Sequence, residues 1–440
     1  MGIAVSAKAQ LVESTPSSRG EHHDLGRVYL RSLQASGQPT GPTRRIRIVE
    51  KGCADSLKLL ALCAQSRPSL EDVRSIRSLS SDIADWSGVL ALAGRHRLLP
   101  LLSHTLQTYC PGSIPDEVLR HLESSLRASA RINLELAARL TEVLDAFDAQ
   151  GVRVLPYKGP VLGFMLYGNP ALRPTTDLDL LVRKSDLVRA SAVLRDIGFH
   201  PAYALNSTQE SSLARTDCER MFLSAENIQV DLHWGIAPEL YGIRFDEKGL
   251  WSRLQVTTWA GRDIAVFASE DLFLCLCQHA AKHLWSEVIL LADIAELVRS
   301  RPTLDWDFIF EQAKGSRSER IVCCSLLLIC HFWQLNIPGK LVSRFTADHP
   351  GVCDLVAEIA ADLEESVSGL QKVWRTHRLN SRLRQNWRER MHYWFSVISK
   401  PTLAEFGTLR LPARLTRFYV PLRFCRLLRK SIQGVAGCRG

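Results

Sequence analysis

Lys158-Gly159-Pro160, then Asp177-Leu178-Asp179-Leu180-Leu181-Val182, and further on Val230-Asp231-Leu232-His233-Trp234, decide how this chain folds. They supply a glycine turn, two carboxylates two residues apart, and a third carboxylate inside another apolar run. Strand side chains alternate between faces, so Asp177 and Asp179 project from the same side of one strand. Two acids held that close repel each other and cost free energy unless a cation sits between them. Hard oxygen ligands suit Mg2+, which keeps several waters and bridges to substrate phosphates. The spacing therefore predicts metal-dependent chemistry on a phosphate substrate.

Outward from that stretch, Val152 to Tyr157 reads as a short strand ending at Lys158-Gly159. Pro160 follows in the first turn of a helix, where a missing N–H costs nothing. Leu162, Met165 and Leu166 give that helix an apolar face before Gly168-Asn169-Pro170 breaks it. After the strand Asp177 to Val182, a helix from Ser185 to Ile197 is expected, capped by Ser185 and ended by Gly198. Phe199 to Ala204, Glu219 to Ser224 and Ile228 to Trp234 read as strands, and Thr257 to Phe267 as a hairpin with Ala260-Gly261 at its tip. This order predicts an α+β fold: a small mixed sheet with helices on one side.

The flanks read as helical. Residues 1–52 are rich in Ser, Gly, Pro, Arg and Gln and are expected to be disordered, save a short helix near Leu25 to Leu33. Helices are expected from Asp55, over Asp82 to Leu92, Leu98 to Tyr109, Asp116 to Leu126 and Arg131 to Ala149, with Gly151 as a stop. From Glu270 the pattern is helical almost to residue 345, with breaks at Ser300 to Thr303 and Lys314 to Ser318, then Val352 to Ser368 and Arg384 to Ile398. The expected organisation is a tail (1–52), an N-terminal helical domain (53–150), an α/β core (151–268) and a C-terminal helical domain with a basic end (269–440).

Composition narrows the function classes. The 440 residues are 46% hydrophobic and 23% charged, as in ordinary globular proteins. No uninterrupted apolar run approaches the ~20 residues that span a bilayer, and the first residues lack the apolar stretch of a signal peptide. Twelve cysteines are too sparse for a disulfide scaffold. Cys275, Cys277, Cys323, Cys324 and Cys330 sit in apolar helical runs, where Cys packs as a small hydrophobe, and a reducing cytoplasm is the expected location. The net charge of +9 is uneven. Residues 371–440 hold 16 Lys and Arg against Glu389 and Glu405, which leaves 39 basic and 44 acidic residues elsewhere. Such a segment either attracts nucleic acid, acidic lipid or nucleotide phosphates, or forms a salt-bridged face. Arg382, Arg384, Arg388 and Arg390 interleave with Trp387 and Trp394, a mix compatible with base stacking.

The ordered set of a Lys-Gly turn, short helix, Leu166-Tyr167-Gly168, Arg173, Asp177 to Val182 and Val230 to Trp234 resembles the nucleotidyltransferase superfamily that includes DNA polymerase beta. More narrowly, it is similar to an uncharacterised bacterial branch of nucleotidyltransferase family proteins. His96-Arg97-Leu98-Leu99-Pro100 upstream, and His279 to Trp285, Leu291 to Ala295 and Leu411-Pro412 downstream, match the same pattern. The superfamily turn is Gly-Gly or Gly-Ser, and here the second small residue is replaced by Pro160. The resemblance implies a polymerase beta-like, ATP- or other NTP-binding core. It implies Asp177, Asp179 and Asp231 as catalytic residues and Mg2+ ligands, and Lys158, Gly159 and Arg173 as nucleotide-binding residues. The implied reaction moves NMP from an NTP to a hydroxyl of a small molecule, a peptide or protein, or RNA. The alternative reading is a catalytically weak nucleotide- or RNA-binding protein using the basic C-terminal helices.

His279 and His283, four apart, share a helix face and read as a hydrogen-bonded structural pair beside the site rather than a zinc pair, since no Glu follows His279. Asp293 returns to the same face only if one helix continues past Ser286. Trp285 reads as core.

Overall fold

The computed structural model describes residues 51–241, 243–335, 337, 347–364, 370–400 and 418–426. The expected tail up to residue 50, its short helix, and Leu411-Pro412 lie outside the described residues. Helices α1 (Lys51–Cys63), α2 (Leu70–Ser81), α3 (Trp86–Arg95), α4 (Leu99–Tyr109) and α5 (Asp116–Ala149) come first. Ser69 and Asp72 form a reciprocal capping box on α2, and Asp85 caps α3 through the Ser87 N–H. α5 was expected as two helices but runs unbroken for 34 residues. Nothing between Leu126 and Arg131 is a Gly or Pro, and buried Ser129 donates sideways to the Ala171 carbonyl at 2.8 Å. Gly151 ends the helix in the left-handed region at φ 60°.

The core follows as β1 (Val154–Pro156), α6 (Gly159–Tyr167), β2 (Asp177–Val182), α7 (Leu187–Asp196), β3 (His200–Pro201), α8 (Ser207–Thr216), β4 (Glu219–Leu223) and β5 (Gln229–His233). The sheet order is β1-β2-β5-β4-β3. β2 and β5 run parallel, and the other neighbours pair antiparallel, so the sheet is mixed as expected. β3 is only two residues long, and α7 starts after a 3-10 turn at Lys184–Asp186 without a cap from Ser185.

Alternation sorts the strands into two faces. Leu178, Leu180, Val230, Leu232 and Phe222 pack with Leu140, Val143 and Phe147 of α5 and with Ala190, Val193 and Leu194 of α7. Each such large apolar side chain contributes roughly 1.5–3 kcal/mol relative to exposure. The opposite face carries Asp177, Asp179, Asp231 and His233. Its apolar members Leu155, Tyr157 and Leu181 join the large cluster formed by the flanking helices. Helices therefore cover both sides of the sheet, not one. The acids on β2 and β5 disguise that second covered face as a solvated one in the sequence.

A short helix α9 (Glu247–Ser252) and a hairpin β6 (Gln255–Trp259)–β7 (Arg262–Val266) complete the core. Ala260 and Gly261 both sit at positive φ, as a two-residue hairpin turn requires, and Arg262 bonds Asp145 and Asp148 of α5. Then come α10 (Ser269–Lys282), α11 (Val288–Ser300), α12 (Trp306–Ser316), α13 (Glu319–Trp333), α14 (Val352–Glu364), α15 (Leu370–Arg382) and α16 (Trp387–Ser399). The chain turns between α10 and α11, so a new helix starts after Ser286. Leu284 and Trp285 take φ of 54° and 50°, a conformation costly for bulky residues. Full burial of the Trp285 ring and its N–H bond to Ser325 at 3.0 Å offset that cost. Trp285 is core, as read.

Two polar ties bind the helical layers to one another and to the core. His96 accepts the Val288 N–H through Nδ1 at 3.3 Å and donates through Nε2 to the Leu363 carbonyl at 2.9 Å. Arg173, after the 3-10 turn Pro170–Leu172, forms a bidentate pair with Asp293 of α11, Nε and Nη2 each 2.9 Å from Oδ2. The Tyr167 hydroxyl donates to the same carboxylate at 3.0 Å. Asp293 is 1% exposed and Arg173 7%. Removing one partner strands a buried charge, which costs about 3–5 kcal/mol, whereas replacing both with apolar groups is often nearly neutral. Asp293→Ala should therefore lower urea-unfolding stability by about 3–5 kcal/mol, and Arg173→Met combined with Asp293→Leu should recover most of it. A loss below about 1 kcal/mol for Asp293→Ala would deny the pair this role.

Candidate metal and nucleotide site

The parallel register sets Asp179 of β2 directly beside Asp231 of β5, with Asp177 beside Gln229. All three aspartates share the sheet face that also carries His233 and, one strand further, Glu219. Asp179, Asp231 and His233 each offer a ligand atom within 4.8 Å of the other two. Asp177 stands outside that trio, at the first residue of β2, where it is half-buried. Asp231 accepts a bond from Gln229 Nε2 at 3.1 Å.

The cationic counterpart is Lys158. Its Nζ lies 2.5 Å from Asp179 Oδ1, and His233 Nε2 donates to the same oxygen at 3.0 Å. Lys158 and Asp179 thus form a buried salt bridge. Gly159 holds φ 60°, and a Cβ there would lie 3.1 Å from the Asp177 carbonyl oxygen. Only glycine takes that turn and that approach without strain. The turn delivers Lys158 to Asp179 and begins α6, the helix whose N-terminus is the expected phosphate cradle.

The acids feel each other. Burial, with the charges of Asp179 and Asp231, pushes the Asp177 carboxyl up to about 6. Burial and Asp179 likewise raise Asp231. Burial alone would raise Asp179 too, but the Lys158 ammonium and the His233 hydrogen bond outweigh it and hold that group well below the usual carboxylate range. One carboxylate is thus compensated by the chain itself, and two are not.

Arg173 does not reach this trio; its guanidinium is committed to Asp293. His279 of α10 and His283, just after that helix, touch edge to face with centroids 4.8 Å apart, and burial, aided by the Lys158 charge, holds His279 well below its ordinary value. Neither joins a metal-ligand cluster among the described residues. Glu219 and Lys282 were not singled out from the sequence. Lys282 Nζ sits 2.7 Å from both Glu219 oxygens, and His233 Nδ1 lies 3.4 Å from Oε2. The signal for Glu219 was its place on a strand position facing His233, and for Lys282 its place between the two histidines. A cavity of about 170 Å³ lies at the far end of β2, lined by Leu181, Trp234, Phe245, Leu250 and Trp251, and contains none of the site acids.

Among the described residues, several arginines of the basic C-terminal helices are paired internally. Arg375, Arg378 and Arg382 of α15 bond Glu358 of α14, and Arg375 also bonds Asp362. Arg384 is buried against the rings of Tyr241 and Tyr393 and donates to the Tyr241 carbonyl. Trp394 donates to Ser381 at 3.1 Å. Arg388 lies over the exposed ring of Trp387. The five cysteines read as core are buried, or half-buried for Cys330. No helix among the described residues is long and apolar enough to cross a membrane.

A family model for an uncharacterised nucleotidyltransferase matches residues 82–334. No curated protein and no solved structure matched significantly. The matched span contains the glycine turn, the three aspartates and Asp293, and covers more than half of the chain. The chain belongs to this uncharacterised nucleotidyltransferase family.

Proposed function

We propose that the chain is an Mg2+-dependent enzyme that transfers NMP from an NTP to a hydroxyl-bearing acceptor, with Asp177, Asp179 and Asp231 as metal ligands. The observation that carries this reading is the register of Asp179 beside Asp231 on one sheet face, with Lys158 seated where a cation belongs. The donor set fits Mg2+: hard carboxylate oxygens, two of them uncompensated by the chain. Bound Mg2+ would supply charge neutralisation at the α-phosphorus and the leaving pyrophosphate.

The chain's own residues have separable tasks. Lys158, whose ammonium lies on Asp179, would hold a phosphate oxygen. Gly159 and the first turn of α6 direct backbone N–H groups toward the same phosphates. His233 keeps its bond to Asp179 and fixes that carboxylate's orientation. Asp231, its carboxyl raised by burial, accepts the proton of the attacking hydroxyl as oxygen bonds to phosphorus and pyrophosphate leaves. The acceptor is a small molecule, a peptide or protein side chain, or an RNA end. The RNA-binding alternative has less to work with, since the α15 arginines are engaged by Glu358 and Asp362.

Asp177→Asn combined with Asp179→Asn should abolish label transfer from radiolabelled NTPs in Mg2+ and cell extract, by about a thousandfold or more, with the circular dichroism spectrum unchanged. Equal labelling by the double variant contradicts the proposal. A second consequence concerns pH. Asp177 titrates at about 6 when folded against 3.8 as a free side chain, so between those values the folded chain binds the extra proton. Its contribution to stability therefore falls as pH rises through that window and is fully lost above about 6. In metal-free protein, the Tm of Asp177→Asn relative to the parent should climb from pH 4 to pH 6 and then level; a difference flat across that range refutes the repulsion at Asp177.

A further inference from the structure

On the far side of His233 from Asp179 lies a second group of donor atoms. Cys218 Sγ, a Glu219 carboxylate oxygen and a His233 ring nitrogen lie within 4.8 Å of one another. Cys218 is 2% exposed and His233 3%. His233 spends Nε2 on Asp179, and its Nδ1 is buried with no hydrogen-bond partner. With the ring proton on Nε2, Nδ1 presents a lone pair, and the Glu219 Oε2 that lies 3.4 Å away offers it no proton. A buried ring nitrogen left unsatisfied is costly, and here it is flanked by a sulfur and a carboxylate. Carboxylate to imidazole to metal is the arrangement in which a ligating histidine donates its other N–H to an acid.

We infer that Cys218, Glu219 and His233 form a transition-metal site of Zn2+ type, separate from the Mg2+ site and joined to it through the imidazole. Three protein ligands of sulfur, nitrogen and oxygen type leave a fourth position open. The softer sulfur selects a zinc-like ion over Mg2+. The surroundings are rich in acids: Asp179, Asp217 and Asp231 neighbour Glu219 and His233, with Lys158, Lys282 and Arg173 as nearby cations. Lys282 bonds both Glu219 oxygens, so an ion seated between Cys218 and His233 would share Oε2 with that ammonium. On uptake the Cys218 S–H bond breaks, sulfur bonds the metal, and the proton leaves to solvent.

The test uses the full chain stripped with chelator and reloaded with one equivalent of Co2+, then Zn2+. Cobalt should give a thiolate-to-metal charge-transfer band, absent in Cys218→Ser and in His233→Gln but kept in Asp231→Asn. X-ray absorption at the zinc edge should show one sulfur at ~2.3 Å with lighter donors at ~2.0–2.2 Å. A cobalt spectrum without the thiolate band, a band that survives Cys218→Ser, or a zinc shell of light donors only overturns the assignment. So would histidine NMR showing Nδ1 carrying a second proton in the presence of equimolar Zn2+. None of these readouts depends on NMP transfer, so failure of one proposal is separable from failure of the other.

Discussion

The structure turns on the parallel pairing of β2 with β5, which sets Asp179 against Asp231 inside a largely buried face. Two carboxylates on adjacent strands repel each other, and burial deprives both of the water that would screen them. A sheet core would not keep such a pair unless something positive were always at hand. In this chain Lys158 serves, delivered by a turn that only glycine makes comfortably, and the His233 N–H shares the load.

That arrangement joins stability to function. In the proposed reaction, the ammonium that neutralises Asp179 is also the group that would meet a phosphate. Behind it, the Arg173–Asp293 pair and the Tyr167 hydroxyl tie the α6 region to α11. The corner at Leu284 and Trp285 places His279 and Lys282 of α10 over the acidic face, and the strain stored there is held by the burial of one tryptophan.

Much of this was legible in the sequence because it is local. Period-two alternation in Asp177 to Val182 and Val230 to His233 gave both strands and the facing of the acids, and Gly151, Gly159 and Ala260-Gly261 marked turns that the backbone takes. What the sequence hid was partnership at long range. Arg173 pairs with Asp293, 120 residues further on, and nothing nearby in the chain announces that partner. Glu219 and Lys282 lie 63 residues apart and meet only when β4 docks under α10. The second helical layer was missed for a related reason: strands carrying acids look one-sided, whereas here the acids fill a polar pocket within a covered face. The boundary between Leu126 and Arg131 was drawn where polar residues cluster, yet helix propensity carried α5 straight through.

The most direct measurement is a crystal structure of the chain with Mn2+ and a non-hydrolysable NTP analogue, the ion located by its anomalous signal. The account predicts a peak bridging the Asp179 and Asp231 carboxylates within reach of Asp177, with Lys158 Nζ moved from Asp179 onto a phosphate oxygen. A peak remote from these aspartates, with Lys158 still bonded to Asp179, would contradict it.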